Sequence, residues 1–588
     1  MVATARVKGY STSRRVMIFS SSIRKAVWIP LLSILIVIGS GRLHPEEVES
    51  RAIISDRLIQ VMKKAHLGET FKVWVFFTDK SQEEAKLSRR CLKRRILRGK
   101  KPIVDSTDLP LRGEYISQVL NSGAKLRAKS RWLNAISLQA SPGEIRQISL
   151  LPFVERLDMV NGFKRREVKR GEMPKIKWNG YWLDYGPSYP QLSLLHIPQL
   201  HQLGYDGSGV LVCLLDTGFY LAHECFDSLN VVATWDFIFK DGDVQDGPED
   251  RPGQQNHGTS TLSVISGFKD DELIGPAFGA SYALAKTEDT GSETPIEEDY
   301  WIAGLEWADS LGADVVSSSL GYTRFDDDTG YTYQDLDGNT ARTTVAADLA
   351  VAKGMVVVTA AGNERDKSWH YIVTPADGDS VLAVGAVDME GNLARFSSVG
   401  PTSDGRIKPD LVAPGVGVWS ADAPSSYSYE EGTSFSTPLV AGAVALLLQV
   451  DSTLIPIEVK EKLCSAGSQA SSPDTLMGWG IPNILKACGL SPLQLANDLW
   501  CYPNPFREVT NIAYILRDSG PVTIRIFTVS GELVREMDLG IKEAGMYSFP
   551  WEGENQGGRI VAPGIYLCRL ISGGFSQFVK IAYLGASN

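Results

Sequence analysis

The chain has 588 residues, 43% of them hydrophobic, and a formal net charge of −10. That length accommodates three or four domains with a large core, and the acidic balance, with no sustained basic patch outside the N-terminal third, argues against nucleic acid as the main partner. Seven cysteines, an odd number without a C-x-x-C pair, argue against a metal cluster or a dense disulfide framework, and Cys464 with Cys488 reads either as one bridge or as two buried thiols.

Arg24 and Lys25 precede the apolar run Ala26–Gly39, AVWIPLLSILIVIG. Interrupted by Pro30, it is short for a membrane span and suits a signal-peptide core, with Met17 as an alternative start and an uncleaved anchor as the competing reading. Residues 1–41 are therefore expected to be a signal peptide and the protein to be exported, secreted or held at the cell surface. In residues 45–163, Phe71–Thr78, Ala135–Gln139 and Phe153–Leu157 read as strands. Ser141–Leu150 reads as a helix with a serine cap and proline at its first position. The pattern predicts a small α+β sandwich, with the basic run Arg89–Lys101 as a solvated helix face. Residues 164–184, which carry KRREVKRGEM, read as an exposed linker.

Residues 185–490 alternate continuous apolar runs (Gly209–Asp216, Ser281–Lys286, Asp314–Ser318, Met355–Thr359, Val381–Val387) with helical stretches such as Glu297–Leu311 and Thr344–Lys353. This is the α/β signature of a parallel sheet with helices on both faces, whose chemistry lies at the carboxyl ends of the strands. Asp216 ends one such strand and Asn363 follows another. The run Glu431–Leu448 is apolar all round, so it belongs inside the domain, with Pro438 expected near the first helical position. A hydroxyl at its start sits among unpaired N–H groups at the positive dipole end. Taken alone, the stretch is better explained as an ordinary core helix with a Ser/Thr cap. In residues 499–588, short strands at Val522–Val529, Tyr547–Trp551, Ile565–Leu570 and Phe578–Ala582, separated by Gly-rich turns, predict a small all-β sandwich.

Four segments combine into one chemistry: Asp216-Thr217-Gly218, His257-Gly258-Thr259-Ser260-Thr261, Ala360-Ala361-Gly362-Asn363 and Gly432-Thr433-Ser434. A serine hydroxyl needs a base to take its proton, the base needs an orienting carboxylate, and the oxyanion that forms needs a donor. His257, Asp216 and Asn363 supply those groups for Ser434. Singly, each has another explanation: a helix cap, a satisfied core histidine, a turn residue. His223-Glu224 fails as a zinc motif because position 227 is Asp.

DTG, HGTST, AAGN and GTSFSTP, in that order, resemble the subtilisin-like serine peptidases over residues 185–490. The resemblance implies a subtilase fold and peptide-bond hydrolysis through an acyl-enzyme, with no cofactor required for the chemistry. It assigns Ser434 as nucleophile, His257 as base, Asp216 as its orienter and Asn363 as oxyanion donor. It makes Ser319, Leu320 and Gly321 the strand on which a peptide substrate adds. Ala360, Ala361 and Gly362 become the opposite wall of the specificity pocket. Subtilases often bind structural calcium; two acidic loops, Asp241/Asp243/Asp246/Asp250 and Asp335/Asp337/Asn339, read first as solvated loops, and the metal ligands stay unknown.

Residues 45–163 resemble the inhibitory propeptide of subtilases, which implies a self-processing zymogen with its own propeptide as a partner besides protein or peptide substrates. Residues 499–588, with Tyr502-Pro503-Asn504-Pro505-Phe506 and Pro563-Gly564-Ile565-Tyr566, resemble both the sorting domain of type IX secretion cargo and the flagellar-hook-cap immunoglobulin-like module. The first would make outer-membrane secretion machinery a partner; a plain accessory β-domain is the alternative. A catalytically silent surface binding protein with the same fold is the competing class. Glu293, Glu297, Glu298 and Asp299 fall where a substrate-cleft loop is expected and would favour basic side chains.

Overall fold

The computed structural model describes residues 52–585 apart from 67, 160–182, 292–293, 295, 324–329, 491–498, 503, 508, 517–518, 544 and 574. The expected signal peptide, nearly all of the expected linker and Glu293 lie outside the described residues.

The first unit comprises β1 (Ile53–Ile54), α1 (Asp56–Lys64), β2 (Phe71–Phe77), α2 (Arg89–Leu97), α3 (Gly113–Leu120), β3 (Lys125–Ser130), β4 (Ala135–Ala140), α4 (Pro142–Ser149) and β5 (Val154–Met159). Its five strands lie in the order β1-β5-β2-β4-β3. Within β2 the run Val73–Phe77, VWVFF, is apolar at every position because both faces of the strand are covered there. Val73, Val75 and Phe77 face the unit's own core, while Trp74 and Phe76 pack on the second unit. At α4 the Ser141 hydroxyl accepts from Glu144 N and the Glu144 carboxylate accepts from Ser141 N, the reciprocal cap that the sequence predicts.

The second unit begins with α5 (Tyr189–Ser193) and α6 (Ile197–Gln202) and continues through β6 (Leu211–Asp216), β7 (Asn230–Asp236), α7 (Asn256–Ser266), β8 (Phe268–Lys269), β9 (Leu273–Ile274) and β10 (Ser281–Lys286). Then come α8 (Ile296–Leu311), β11 (Val315–Ser318), α9 (Arg342–Ala352), β12 (Val356–Ala360), β13 (Leu382–Val387) and β14 (Leu411–Pro414). The hairpin β15 (Val416–Asp422) and β16 (Ser426–Glu431) leads into α10 (Thr433–Val450), followed by α11 (Pro456–Ser465) and α12 (Ile484–Ala487). Seven parallel strands lie in the order β14-β13-β12-β11-β6-β10-β7. One face packs on α7 and α10, the other on α8 and α9. From β6 the chain builds outward to one side, then returns to build the other, so the crevice opens between β6 and β11. The sequence pattern had missed β7, a half-exposed edge strand, and β14, only four residues long.

Pro438 is not near the start of its helix: α10 begins at Thr433 and the proline is interior. Lacking an N–H, it leaves the Ser434 carbonyl without its helical donor. The Ser319 hydroxyl donates to that carbonyl instead, at 2.7 Å. The third unit packs a three-stranded sheet, β17 (Leu499–Tyr502), β18 (Thr510–Leu516) and β21 (Gly545–Trp551), against a four-stranded one in the order β20-β19-β22-β23. The latter strands span Leu533–Lys542, Gly520–Thr528, Gly564–Ser572 and Phe575–Tyr583. All seven cysteines are free, so Cys464 and Cys488 are not bridged.

Two charged segments behave differently from their expected solvated roles. Helix α2 buries Arg94 and Arg95, with Arg98 beyond its end, against the second unit, because carboxylates distant in sequence meet them there. Glu297, Glu298 and Asp299 form the first turn of α8 and are buried, not displayed on a cleft loop. Asp299 faces Arg127 of β3 at 3.4 Å, and Glu298 accepts a hydrogen bond from Tyr331. Burial pushes the Glu298 carboxyl up to about 8 from an ordinary 4.5. Between those values the folded chain holds a proton that the unfolded chain has released, so this group's contribution to stability falls as pH rises through that window. Glu298→Gln keeps the acceptor for Tyr331 and removes the ionisation. It should raise the thermal unfolding midpoint at about pH 8 by more than at about pH 5; an equal effect at both would show that Glu298 is not held neutral.

Candidate active site

Every expected site residue lies at the carboxyl ends of the strands around the crevice. Asp216 is the last residue of β6, Ser319 follows β11, and Asn363 follows β12. His257 opens α7 and Ser434 opens α10. The approach of α7 to β6 is close enough to require glycine after the histidine. A Cβ on Gly258 would lie 2.1 Å from the Gly218 carbonyl oxygen and 3.1 Å from Asp216 Cβ.

Asp216 is buried, and its two carboxylate oxygens are fully used. Oδ1 meets His257 Nδ1 at 2.6 Å and accepts from Thr217 N at 2.8 Å. Oδ2 accepts from the Thr261 hydroxyl at 2.9 Å. Burial alone would raise its pKa, but His257 and these hydrogen bonds hold the carboxyl below the usual range. Thr261 escaped the sequence reading, although its place four residues after His257 puts both on one helix face. The loop before α7 is tied to β10: Lys286 Nζ lies 2.9 Å from Asp236 and 2.7 Å from Asp250. Gln254 donates to the Thr217 carbonyl at 2.8 Å.

Asn363 Oδ1 accepts from both Thr433 N, at 2.9 Å, and the Thr433 hydroxyl, at 3.1 Å. This orients the amide with Nδ2 beside Gly432, 3.5 Å from where a Cβ there would stand. The amide thus offers its donor end to the crevice at the Ser434 turn. The Ser434 hydroxyl donates to the Ser319 carbonyl at 3.3 Å, not to His257. His257 Nε2 is buried and without a hydrogen-bond partner among the described residues. Asp216 and His257 are therefore assembled as a pair, while the serine hydroxyl points to the neighbouring strand segment.

The expected substrate walls divide by side chain. Leu320 and Ala361 turn into cores, so only their backbones border the crevice. The Ala361 backbone is itself paired, its N–H to Val384 O and its carbonyl to Val373 N. Gly321 and Gly362 are held against Val373, where a Cβ would approach to 2.3 and 2.8 Å.

In the acidic loops the carboxylates are engaged by local hydrogen bonds and by Lys286. Asp246 accepts from Gly253 N and Gln255 N, Asp250 is spent on Gly247 N and Lys286, and Asp337 on Asn339 and Thr340. Asp335 accepts from Thr332. The carboxylates thus brace their own loops, which stay largely at the surface as expected, and among the described residues no group of three or more His, Cys, Asp or Glu side chains could hold a metal ion.

Comparison with known proteins bears on this arrangement. Residues 207–480 match the family described as "Subtilase family", residues 72–175 the "Peptidase S8 propeptide domain, Bacteroidota", and residues 508–571 the "FlgD Ig-like domain". The chain is 35% identical over 309 residues to subtilisin NAT of Bacillus subtilis subsp. natto, covering 52% of this chain and 72% of that protein. It is 34% identical over 299 residues to subtilisin DY of Bacillus licheniformis, covering 50% of this chain and 97% of that protein. Fervidolysin from Fervidobacterium pennivorans, a keratinolytic enzyme related to subtilisin, shares the fold with a TM-score of 0.53 at 19% identity, over 91% of this chain and 80% of that one. With relatives above 30% identity matched over most of their length and the family pattern spanning the parallel sheet, the chain belongs to the subtilase family and is a serine-type endopeptidase.

Proposed function

We propose that Ser434, His257 and Asp216 act as nucleophile, general base and orienting carboxylate, and that the chain is an exported zymogen that cuts itself between its first and second units. The observation that carries the triad is the 2.6 Å contact between His257 Nδ1 and a buried, fully hydrogen-bonded Asp216. That contact fixes a proton on Nδ1 and leaves Nε2 to accept one. In this reading Ser434 rotates from the Ser319 carbonyl toward Nε2 when a peptide occupies the crevice. Its oxygen attacks the scissile carbonyl, His257 takes the proton and returns it to the leaving amine, and water then repeats the sequence on the acyl-enzyme. Asn363 Nδ2 and the backbone N–H of Ser434 stabilise the oxyanion. Ser319, Leu320 and Gly321 pair with the substrate backbone, and Ala360, Ala361 and Gly362 border the side-chain pocket from across the crevice.

Residues 45–163 are proposed as the propeptide, 185–490 as the peptidase and 499–588 as an Ig-like C-terminal module. Their support is the separate sheet in each unit and the three matched family descriptions. Export rests on the leader pattern of residues 1–41, and a sorting role for the C-terminal module on its Pro-Asn-Pro and Pro-Gly-Ile-Tyr motifs.

The test compares the wild-type chain, made without residues 1–41, with Ser434→Ala. Wild type should shorten by about the mass of the first unit, cleave an unfolded protein and lose activity to a serine-directed covalent inhibitor. The variant should stay full length and inert. If both fold, stay full length and remain inactive, the assignment of Ser434 and the zymogen reading fail together. Asn363→Ala should lower kcat by about 10²–10³-fold with KM nearly unchanged, because the lost donor acts on the transition state; a change confined to KM would move Asn363 to ground-state binding.

A further inference from the structure

The sheet of the first unit covers α8 and α9 through Trp74, Phe76 and Trp132. Helix α2 does something separate. It lies at the opposite end of the parallel sheet from the crevice, against the residues that precede β6, β11 and β12. Six residues of β6 separate the two ends, about 20 Å of extended chain.

At that end α8 and α9 both terminate, leaving orphan carbonyls and the negative ends of two helix dipoles. The first unit donates to carbonyls at and just beyond these ends, and to one that precedes β6. The Ser88 hydroxyl donates to Leu311 O at 3.0 Å, and Arg90 donates to Gly312 O at 3.1 Å and Gly209 O at 3.0 Å. Arg94 donates to Ala313 O, and Arg98 to Gly354 O. Carboxylates complete the notch: Arg94 and Arg95 share Asp309, while Arg90 and Arg98 share Asp314. The exchange runs both ways, since Lys353 of the second unit reaches Asp108 of the first at 2.7 Å, and Asp108 in turn holds Arg95. The backbones are also fitted: a Cβ on Gly312 would stand 2.5 Å from Cys91 N. Arg94, Arg95, Asp309, Asp108 and Lys353 are all almost wholly buried.

We propose that α2 is a second docking element, seated in this carboxylate-lined notch, and that it keeps the first unit attached to the peptidase after the junction has been cut. The proposal rests on the zymogen reading above and adds to it where the cut first unit is held. Cleavage at the crevice releases nothing at the notch, because the two sites lie at opposite ends of the sheet. Release requires withdrawing several buried charges together, and a buried pair that loses one partner is strongly disfavoured. In the zymogen reading the first unit is also the inhibitor, so a unit held in this way delays activity until it is removed.

The full chain without residues 1–41 provides the test, in wild-type form and as Arg90→Ala/Arg94→Ala/Arg98→Ala. Both should cut the junction at similar rates. In wild type the cut first unit should co-elute with the peptidase on size-exclusion chromatography, with a lag before peptide hydrolysis; the triple variant should lose it and show a lag at least about tenfold shorter. Retention with an unchanged lag in the triple variant overturns the proposal. If that variant does not fold, Asp309→Asn/Asp314→Asn removes the charges from the other side and is read the same way. Hydrogen exchange on the uncut Ser434→Ala chain is independent of cleavage. Protection of the α2 amides equal to that of β2 supports the docking, and free exchange at α2 beside a protected β2 overturns it. Absence of any cut in wild type would sink the zymogen reading, and the exchange result would still decide whether α2 is held.

Discussion

The burial of α10 constrains everything around it. From Thr433 to Leu448 no residue reaches solvent appreciably, so the helix must be enclosed by the sheet on one side and by α7 and its neighbours on the other. Close packing sets its composition: a Cβ on Gly442 would stand 2.2 Å from a Pro276 side-chain carbon. A helix so enclosed cannot shift without moving the sheet, and its first turn carries Ser434. Pro438 adds a second tie, because the carbonyl it frees belongs to Ser434 and is taken up by Ser319 on the adjacent strand end. The serine is therefore coupled through its backbone to one wall of the crevice before any substrate arrives.

Much of this was readable because the chemistry and the layers leave local marks. Continuous apolar runs named the central strands, and the aspartate, histidine and serine each stood at an element end. The reciprocal cap at Ser141 and Glu144 was legible as a four-residue pattern. Failures had a common cause in distance along the chain. Helix α2 looked like a solvated basic face because Asp309, which neutralises Arg94, comes 215 residues later. Glu298 looked like a surface acid because Tyr331 and the hairpin of β3 and β4 that cover the start of α8 lie far from it in sequence. Pro438 was misplaced because proline favours the first helical position, whereas α10 already begins at Thr433.

The interface between the first two units combines an apolar contact with buried ion pairs. Buried ion pairs return little net stability, since desolvation offsets attraction, but they penalise any arrangement that leaves a charge unmatched. A sheet resting on two helices by Trp74, Phe76 and Trp132 alone could slide. Arg127 against Asp299 in the first turn of α8, and Glu306 further along it accepting from the Ser130 hydroxyl and Trp132 N, fix its position on the helix. Arg342 reaches across to Asp158 while its guanidinium lies over the Phe76 ring. Charge here selects register, and apolar area supplies the adhesion.

The cysteines carry a consequence for chemical probing. Cys213 lies three residues before Asp216 on β6, yet burial pushes its thiol far above the range in which thiolate forms, and Cys225, Cys464 and Cys488 are displaced the same way. Thiol-directed reagents should therefore react slowly with the cysteines of the folded peptidase unit, even beside the crevice. The thiols thus become markers of unfolding.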